Sequence, residues 1–288
     1  MLQLVAEESD AGAELSIAQA CRTLGLSRAE YYRCKGAVHK SDSDMEVRVR
    51  IQAIALEWPS YGSGRIRFEL QRQGLTVNRK RVQRLMREDN LLCLRKQKFV
   101  KTTDSEHGLS VYPNLAAGLQ LSGIDQLWVA DLTYIRLSGE FVYLAVILDA
   151  FSRRVIGWSL ERFLDAGLAV LALRMAITSR SFGSELVHHS DRGVQYASKE
   201  YTDILKERGI QISMSRRANP YDNAKAESFM KTLKYEEVYM FEYENMTEAR
   251  NRIGDFLEEV YNQKRLHSSI GYLPPAEFEQ RLTMPDPA

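Results

Sequence analysis

From Ile124 onward the hydrophobic residues change period, and that change constrains the fold more than any other feature of the chain. Asp125–Leu137 (DQLWVADLTYIRL), Glu140–Ala150 (EFVYLAVILDA) and Arg154–Leu160 (RVIGWSL) are short runs rich in β-branched and aromatic residues. Ser138-Gly139 separates the first two as a hairpin turn would. The period then becomes helical over Asp165–Ser179, with Leu168, Leu171, Ala172, Met175 and Ala176 as the apolar stripe. A strand over Glu185–His189, a helix over Lys199–Arg208 and a strand over Ile210–Met214 are expected next. Helices follow over Asp222–Glu237, after Asn219-Pro220, and over Thr247–Tyr261. Three strands in succession, then helix and strand alternating, imply an α/β fold: a mixed five-stranded sheet with helices on both faces.

Three acids stand at telling places in that pattern. Asp131 lies within the first run, Asp191 just past the fourth strand, and Glu227 in the following helix, with 35 residues between the last two. Any one of them alone is more often a salt bridge or a helix cap. Together they suit a divalent-metal site that cuts or joins phosphodiesters, a reaction that needs an activated oxygen nucleophile and neutralised phosphate charge. Carboxylates are the hard oxygen ligands that Mg²⁺ prefers, and water or substrate phosphate completes its shell. Without metal, three converging acids repel one another and resist ionisation. His188 and His189 are less suited to Mg²⁺ and read as strand-end structure or DNA contacts. Asp149 reads as a structural partner of Arg153 or Arg154.

The N-terminal part differs in character. Residues 14–35 read as two short helices around Leu24-Gly25-Leu26-Ser27, a helix-turn-helix pattern that fits a packing hairpin as well as a DNA reader. Residues 36–44 (GAVHKSDSD) read as a polar linker. Helices are then expected over Met45–Trp58, Arg65–Gln73 and Arg79–Glu88, broken by Pro59 to Gly62 and by Gly74. Net charge is only +1, but residues 61–101 hold twelve Lys/Arg against three Asp/Glu. Lys80, Arg81, Arg84 and Arg87 recur at helical spacing as a stripe suited to phosphates, with Arg79 beside them. Residues 95–122 lack periodicity and read as a linker that orders on DNA.

These readings divide the chain into a helix-turn-helix-like segment (1–40), a basic helical DNA-binding domain (41–96) and a linker (97–122). A catalytic core (123–240) and its C-terminal helical extension (241–288) complete it. No run of the sequence is long and apolar enough to span a bilayer, and the acidic N-terminus lacks the form of a signal peptide. Three scattered cysteines argue against a disulfide framework and for a reducing cytosol.

The core order is the ribonuclease H-like arrangement. Its motifs resemble the retroviral-integrase superfamily of DDE recombinases, and closely the OrfB-type transposases of IS-three family insertion sequences. The matching residues are Trp128-x-x-Asp131-x-Thr133-Tyr134, Asp149-x-Phe151-Ser152-Arg153-Arg154 with Gly157-Trp158, and His189-Ser190-Asp191-Arg192-Gly193-x-Gln195-Tyr196. Ser213 to Arg216, Asn219, Tyr221 to Ala224 and Glu227-Ser228-Phe229 continue the match, as does the tail from Tyr261 to Phe278. The basic module carries Tyr61-Gly62, Arg65-Ile66 and Val77-Asn78-x-Lys80-Arg81-Val82, but Ser63-Gly64 where the family usually has a bulkier Tyr-Arg pair.

The resemblance implies that Asp131, Asp191 and Glu227 are the catalytic metal-binding triad, holding two Mg²⁺ ions for which Mn²⁺ substitutes. It places Lys234 at the family's basic position seven residues past the glutamate. Helical geometry sets Asn223, Lys231 and Lys234 beside Glu227 as DNA contacts, and Arg192, Arg216 and Arg217 are further phosphate candidates. The implied activity is DNA transposition: 3′-end cleavage and strand transfer on element terminal repeats and target DNA. A homodimer or larger assembly is expected, working in the bacterial cytoplasm at the nucleoid. Family members usually gain a helix-turn-helix and leucine zipper from an upstream frame. No heptad zipper is present here, so the expectation is a downstream product with an upstream-frame protein as partner.

Overall fold

The computed structural model describes residues 18, 21–22, 27–91, 110–216 and 223–284. The chain forms two compact units, Met1–Cys93 and Leu94–Ala288.

In the first unit three helices are described: α1 (Arg28–Glu57), α2 (Ser63–Arg72) and α3 (Arg79–Glu88). Val47, Ile51 and Ile54 of α1, Ile66 and Leu70 of α2, and Val82, Leu85 and Met86 of α3 are buried. Asn78 starts α3 by accepting a hydrogen bond from the Lys80 N–H at 2.8 Å, the ordinary N-cap device. The turn between α1 and α2 is stiffened by Trp58 stacked on Tyr61, with centroids 4.9 Å apart. One expectation is corrected: the backbone is helical straight through 36–44 rather than a linker. That stretch contains no proline, and its single glycine costs a helix only about 1 kcal/mol. The turn Leu24-Gly25-Leu26 lies outside the described residues.

The second unit is built on five strands: β1 (Leu127–Arg136), β2 (Phe141–Asp149), β3 (Val155–Glu161), β4 (Val187–Ser190) and β5 (Gln211–Met214). Their order is β3-β2-β1-β4-β5, antiparallel among the first three and parallel from β1 to β4 to β5. The helices are α4 (Ala166–Ser179), α5 (Val194–Ala197), α6 (Lys199–Glu207), α7 (Ala224–Leu233), α8 (Met246–Asp255) and α9 (Pro275–Thr283). π-Helical turns extend α7 over Lys234–Val238 and α8 over Phe256–Tyr261.

Because side chains alternate along a strand, β1 feeds two cores. Leu127 and Val129 join Ala226, Phe229, Met230 and Leu233 of α7 on one face. Trp128 and Ala130 join Leu168 and Ala172 of α4 and Tyr201 and Leu205 of α6 on the other. β3 approaches α4 closely at Gly157, where an added Cβ would sit 2.3 Å from the Ala172 carbonyl oxygen.

Two further expectations are corrected. Residues 110–122 are not a loose linker: Pro113 O accepts from Met214 N–H, and the N–H of Leu115 donates to Ser213 Oγ at 2.8 Å. Residues 92–109 lie outside the described set. Asp149 is not held by its neighbouring arginines. It is fully buried and accepts from the N–H groups of Asp125, Phe151 and Ser152 and from the Ser152 hydroxyl, closing the β2–β3 turn. Arg154 pairs instead with Glu279 of α9, as does Arg180.

Candidate active site

The sheet itself brings two of the three acids together. In the parallel β1–β4 ladder Val129 is paired with His189. Asp131 lies two residues beyond that pair within β1, and Asp191 two residues beyond it just past the end of β4, so the ladder brings both acids to the same end of neighbouring strands. Asp131 shares the face of Leu127 and Val129, the face that α7 covers. Glu227 is in the first turn of α7.

Asp131 Oδ1 accepts from the N–H of Leu132 at 2.8 Å. Asp191 Oδ1 accepts from Gly193 N–H at 2.9 Å. A side chain at position 193 would crowd that oxygen, its Cβ falling 3.0 Å away. Burial, and after it the negative charge of Asp191, pushes the Asp131 carboxyl up to about 7; Glu227 adds to the rise, while the Leu132 N–H and Lys234 oppose it. The repulsion expected of three unneutralised acids is therefore present. The acids are neighbours, yet not a finished cage: among the described residues no group of three or more His, Cys, Asp or Glu is gathered closely enough to hold a metal ion.

The donor set fits a hard divalent cation. All three side chains offer carboxylate oxygens. The Asn223 Oδ1 beside them is buried without a hydrogen-bond partner, as is the Tyr196 hydroxyl, whose own pKa is raised by burial and by the charges of Tyr201, Asp191 and Asp131.

The basic candidates fare differently. Lys234 is brought to the site: its ammonium lies 4.6 Å from the Tyr134 ring centroid, and burial lowers its pKa despite the opposing charge of Asp131. With Tyr134 and Arg136 it lines a groove of about 1020 Å³. Lys231 is exposed on the same helix and Arg216 is exposed past β5. Arg192 donates through Nε to the Ser215 carbonyl at 2.8 Å, bracing the Asp191 loop against the segment after β5. Asn223 departs from the reading as a DNA contact. It is buried, and its amide donates to the Ala130 carbonyl at 3.0 Å. Arg217 lies outside the described residues.

In the first unit Arg79 and Lys80 are exposed, but Arg81 and Arg84 pair with Asp44 of α1 at 2.7 Å each. Of the two readings of His188 and His189, strand-end structure or DNA contacts, their contacts favour the first. His189 bridges the hydroxyls of Ser213 and Ser215 at 2.8 and 3.0 Å, and His188 contacts the Tyr201 hydroxyl at 2.9 Å. Burial, helped by His189, drops the His188 pKa to about 3, so it stays neutral. The sequence reading missed Glu279 and the supporting role of Tyr134. Both stand within the matching motifs or beside them, but only tertiary packing assigns their contacts.

The chain is similar to known proteins along most of its length. Residues 123–220 and 208–275 match the "Integrase core domain" family, and residues 42–99 match an "HTH-like domain". The chain is 36% identical over 266 residues to the "Insertion element IS600 uncharacterized 31 kDa protein" of Shigella sonnei, covering 91% of this chain and 97% of that protein. It is 34% identical over 275 residues to "Transposase InsF for insertion sequence IS3A" of Escherichia coli (strain K12), covering 93% and 96%. Among solved structures, the catalytic core domain of BIV integrase aligns with 55% of this chain and 95% of its own at 21% identity and a TM-score of 0.43.

Proposed function

The chain belongs to the IS3-type insertion-sequence transposases with an integrase core domain, and from that membership we propose which of its residues carry out cleavage and joining of DNA. Asp131, Asp191 and Glu227 are the catalytic acids and the metal ligands. The observation that carries this assignment is that Asp131 on β1 and Asp191 just past the end of β4 each lie two residues beyond the Val129–His189 pair, and that burial, then the charge of Asp191, with a further rise from Glu227, lifts the Asp131 carboxyl to about 7.

Two Mg²⁺ ions, with Mn²⁺ as substitute, would be held by these carboxylates and would supply charge neutralisation and an activated oxygen nucleophile. The residues do the rest. Asp131 gives up its proton as the site fills. Arg192 and Gly193 fix the loop that aims Asp191. Asn223 ties the start of α7 to β1, which sets Glu227 opposite Asp131. Lys234, propped on Tyr134, together with exposed Lys231 and Arg216, faces the phosphates of the element end; Arg217 belongs to the same set by sequence. The first product is a free 3′-OH, which then attacks a second phosphodiester, and no covalent protein–DNA intermediate is required.

Duplex DNA is delivered by the basic helical module 41–96 through Arg79 and Lys80, with Arg81 and Arg84 supporting them from their Asp44 pairs. Joining requires element end and target together, hence a homodimer or larger assembly, and an upstream-frame helix-turn-helix protein is a fitting partner for end recognition. No helix among the described residues is long and apolar enough to cross a membrane, which accords with work on DNA in the bacterial cytoplasm.

The test is separation of function. Asp191→Asn should lose joining of labelled element-end DNA while its affinity for that DNA stays within about twofold. Joining that survives in the variant removes Asp191 from the site.

A further inference from the structure

Lys225 and Glu227 are two residues apart on α7, about 200° around the helix from one another, so they serve different surroundings. Glu227 acts on Asp131. Lys225 instead shares a cleft with Arg153, at the end of the β2–β3 turn. That cleft, of about 760 Å³, has an apolar floor that includes Phe151, Phe278 and Ile270, with no carboxylate among the described residues that line it. Arg281 stands at its edge and pairs with Glu277. The side chains of Arg153 and Lys225 have no hydrogen bond or ion pair among the described residues.

The charge of Asp149 favours both cations, but its oxygens accept from four other donors and make no ion pair with either. The fold also expends strain to put Arg153 there: its backbone is left-handed at φ 68, a conformation in which the Cβ of an L-residue crowds the following carbonyl oxygen. Two like charges, half-buried and facing one cleft, are unfavourable in the free protein and become favourable when an anion enters.

We propose that Arg153 and Lys225 form a second phosphate-binding point, distinct from the triad and from Lys234, for the DNA strand passing over the first turn of α7. This rests on the reading of the chain as a DNA transposase. The site lies across the helix from Glu227, ~10 Å away, a distance that a strand covers in about three nucleotides at ~3.4 Å each. The apolar floor suits the sugar and base faces that accompany the phosphate.

The experiment is fluorescence anisotropy of the full chain with a labelled duplex of about 30 base pairs, between roughly 50 and 200 mM salt. For Arg153→Gln with Lys225→Gln, the slope of log K against log salt should shrink by about 0.9 for each phosphate no longer neutralised. Affinity should fall roughly tenfold, and Arg153→Lys with Lys225→Arg should restore both. Lys225→Glu alone, acidic in a helix's first turn and so compatible with folding, should weaken binding at least as much. Unchanged slope and affinity in variants with wild-type circular dichroism overturn the site while leaving the transposase reading intact. A wild-type chain that binds no duplex at any salt overturns both.

Discussion

The side-chain amide of Asn223 donates to the backbone carbonyl of Ala130 at 3.0 Å. One hydrogen bond thus joins the residue before Asp131 to the residue four before Glu227, coupling the strand that carries one acid to the helix that carries another. Asn223→Ala should lower the rate of strand transfer by about ten- to a hundredfold, the cost of loosening supporting contacts around ligands. Stability should drop by about 1 kcal/mol, and affinity for DNA should hold. Kinetics on end DNA alongside thermal melting separate these effects, and equal losses in binding and rate would contradict a positioning role.

Asp131 gives the pH dependence its sign. Its folded pKa, about 7, lies above the unfolded value of 3.8, so the folded chain holds this proton after the unfolded chain has released it. The contribution of Asp131 to metal-free stability therefore declines as pH rises from about 4 to about 7, and levels beyond. Asp131→Asn should abolish that decline and make the metal-free protein more stable than wild type at about pH 8, on the order of 1 kcal/mol, while destroying activity. Metal affinity should climb by up to about tenfold per pH unit toward pH 7, because binding expels the proton. Melting curves with and without Mg²⁺, at about pH 5 and about pH 8, read both effects.

Gly157 permits β3 to touch α4. A methyl group there would sit 2.3 Å from the Ala172 carbonyl oxygen and 2.8 Å from the Ala176 nitrogen, both backbone atoms with little room to retreat. Gly157→Ala should cost about 2 kcal/mol or more, measured by denaturant unfolding, with no change in metal dependence of the folded fraction.

The basic residues of α3 should divide into two classes. Lys80→Ala removes an exposed cation and should weaken duplex binding and its salt slope without moving the melting temperature. Arg81→Ala deprives Asp44 of one of two partners, whose hydrogen bonds hold its carboxyl below the ordinary aspartate range, Arg84 foremost against a smaller effect of burial. It should lower stability as well as binding.

Much of this architecture is legible in the amino-acid sequence. The strands end within about two residues of their expected limits because turn formers and changes of period flank them, and strand order follows from a meander succeeded by helix–strand alternation. Asp131 and Asp191 can be singled out because LWVAD and the run before Asp191 each lead into an acid, and Glu227 by its helix and the 35-residue gap that separates it from Asp191. What stays hidden depends on pairings distant in sequence. Asp44 reaches Arg81 and Arg84 across 37 and 40 residues, which no local charge count reveals, so the phosphate stripe reads as freer than it is. Ser213 pins residues 115 and 116 to β5, although their own sequence carries no period. Helical spacing places Asn223 beside Glu227, but only the packing of α7 on β1 turns its amide inward to Ala130. The Ser152–Glu279 bond spans 127 residues.

The most direct measurement is strand transfer of labelled element-end DNA in Mg²⁺ and Mn²⁺, wild type beside Glu227→Gln. Metal-dependent joined products in the wild type that vanish in the variant, with DNA binding retained, are the expected result. Joined products that persist in Glu227→Gln, or a wild type that binds element ends and hydrolyses them without ever joining, would contradict the assignment of Asp131, Asp191 and Glu227 as a transesterification site.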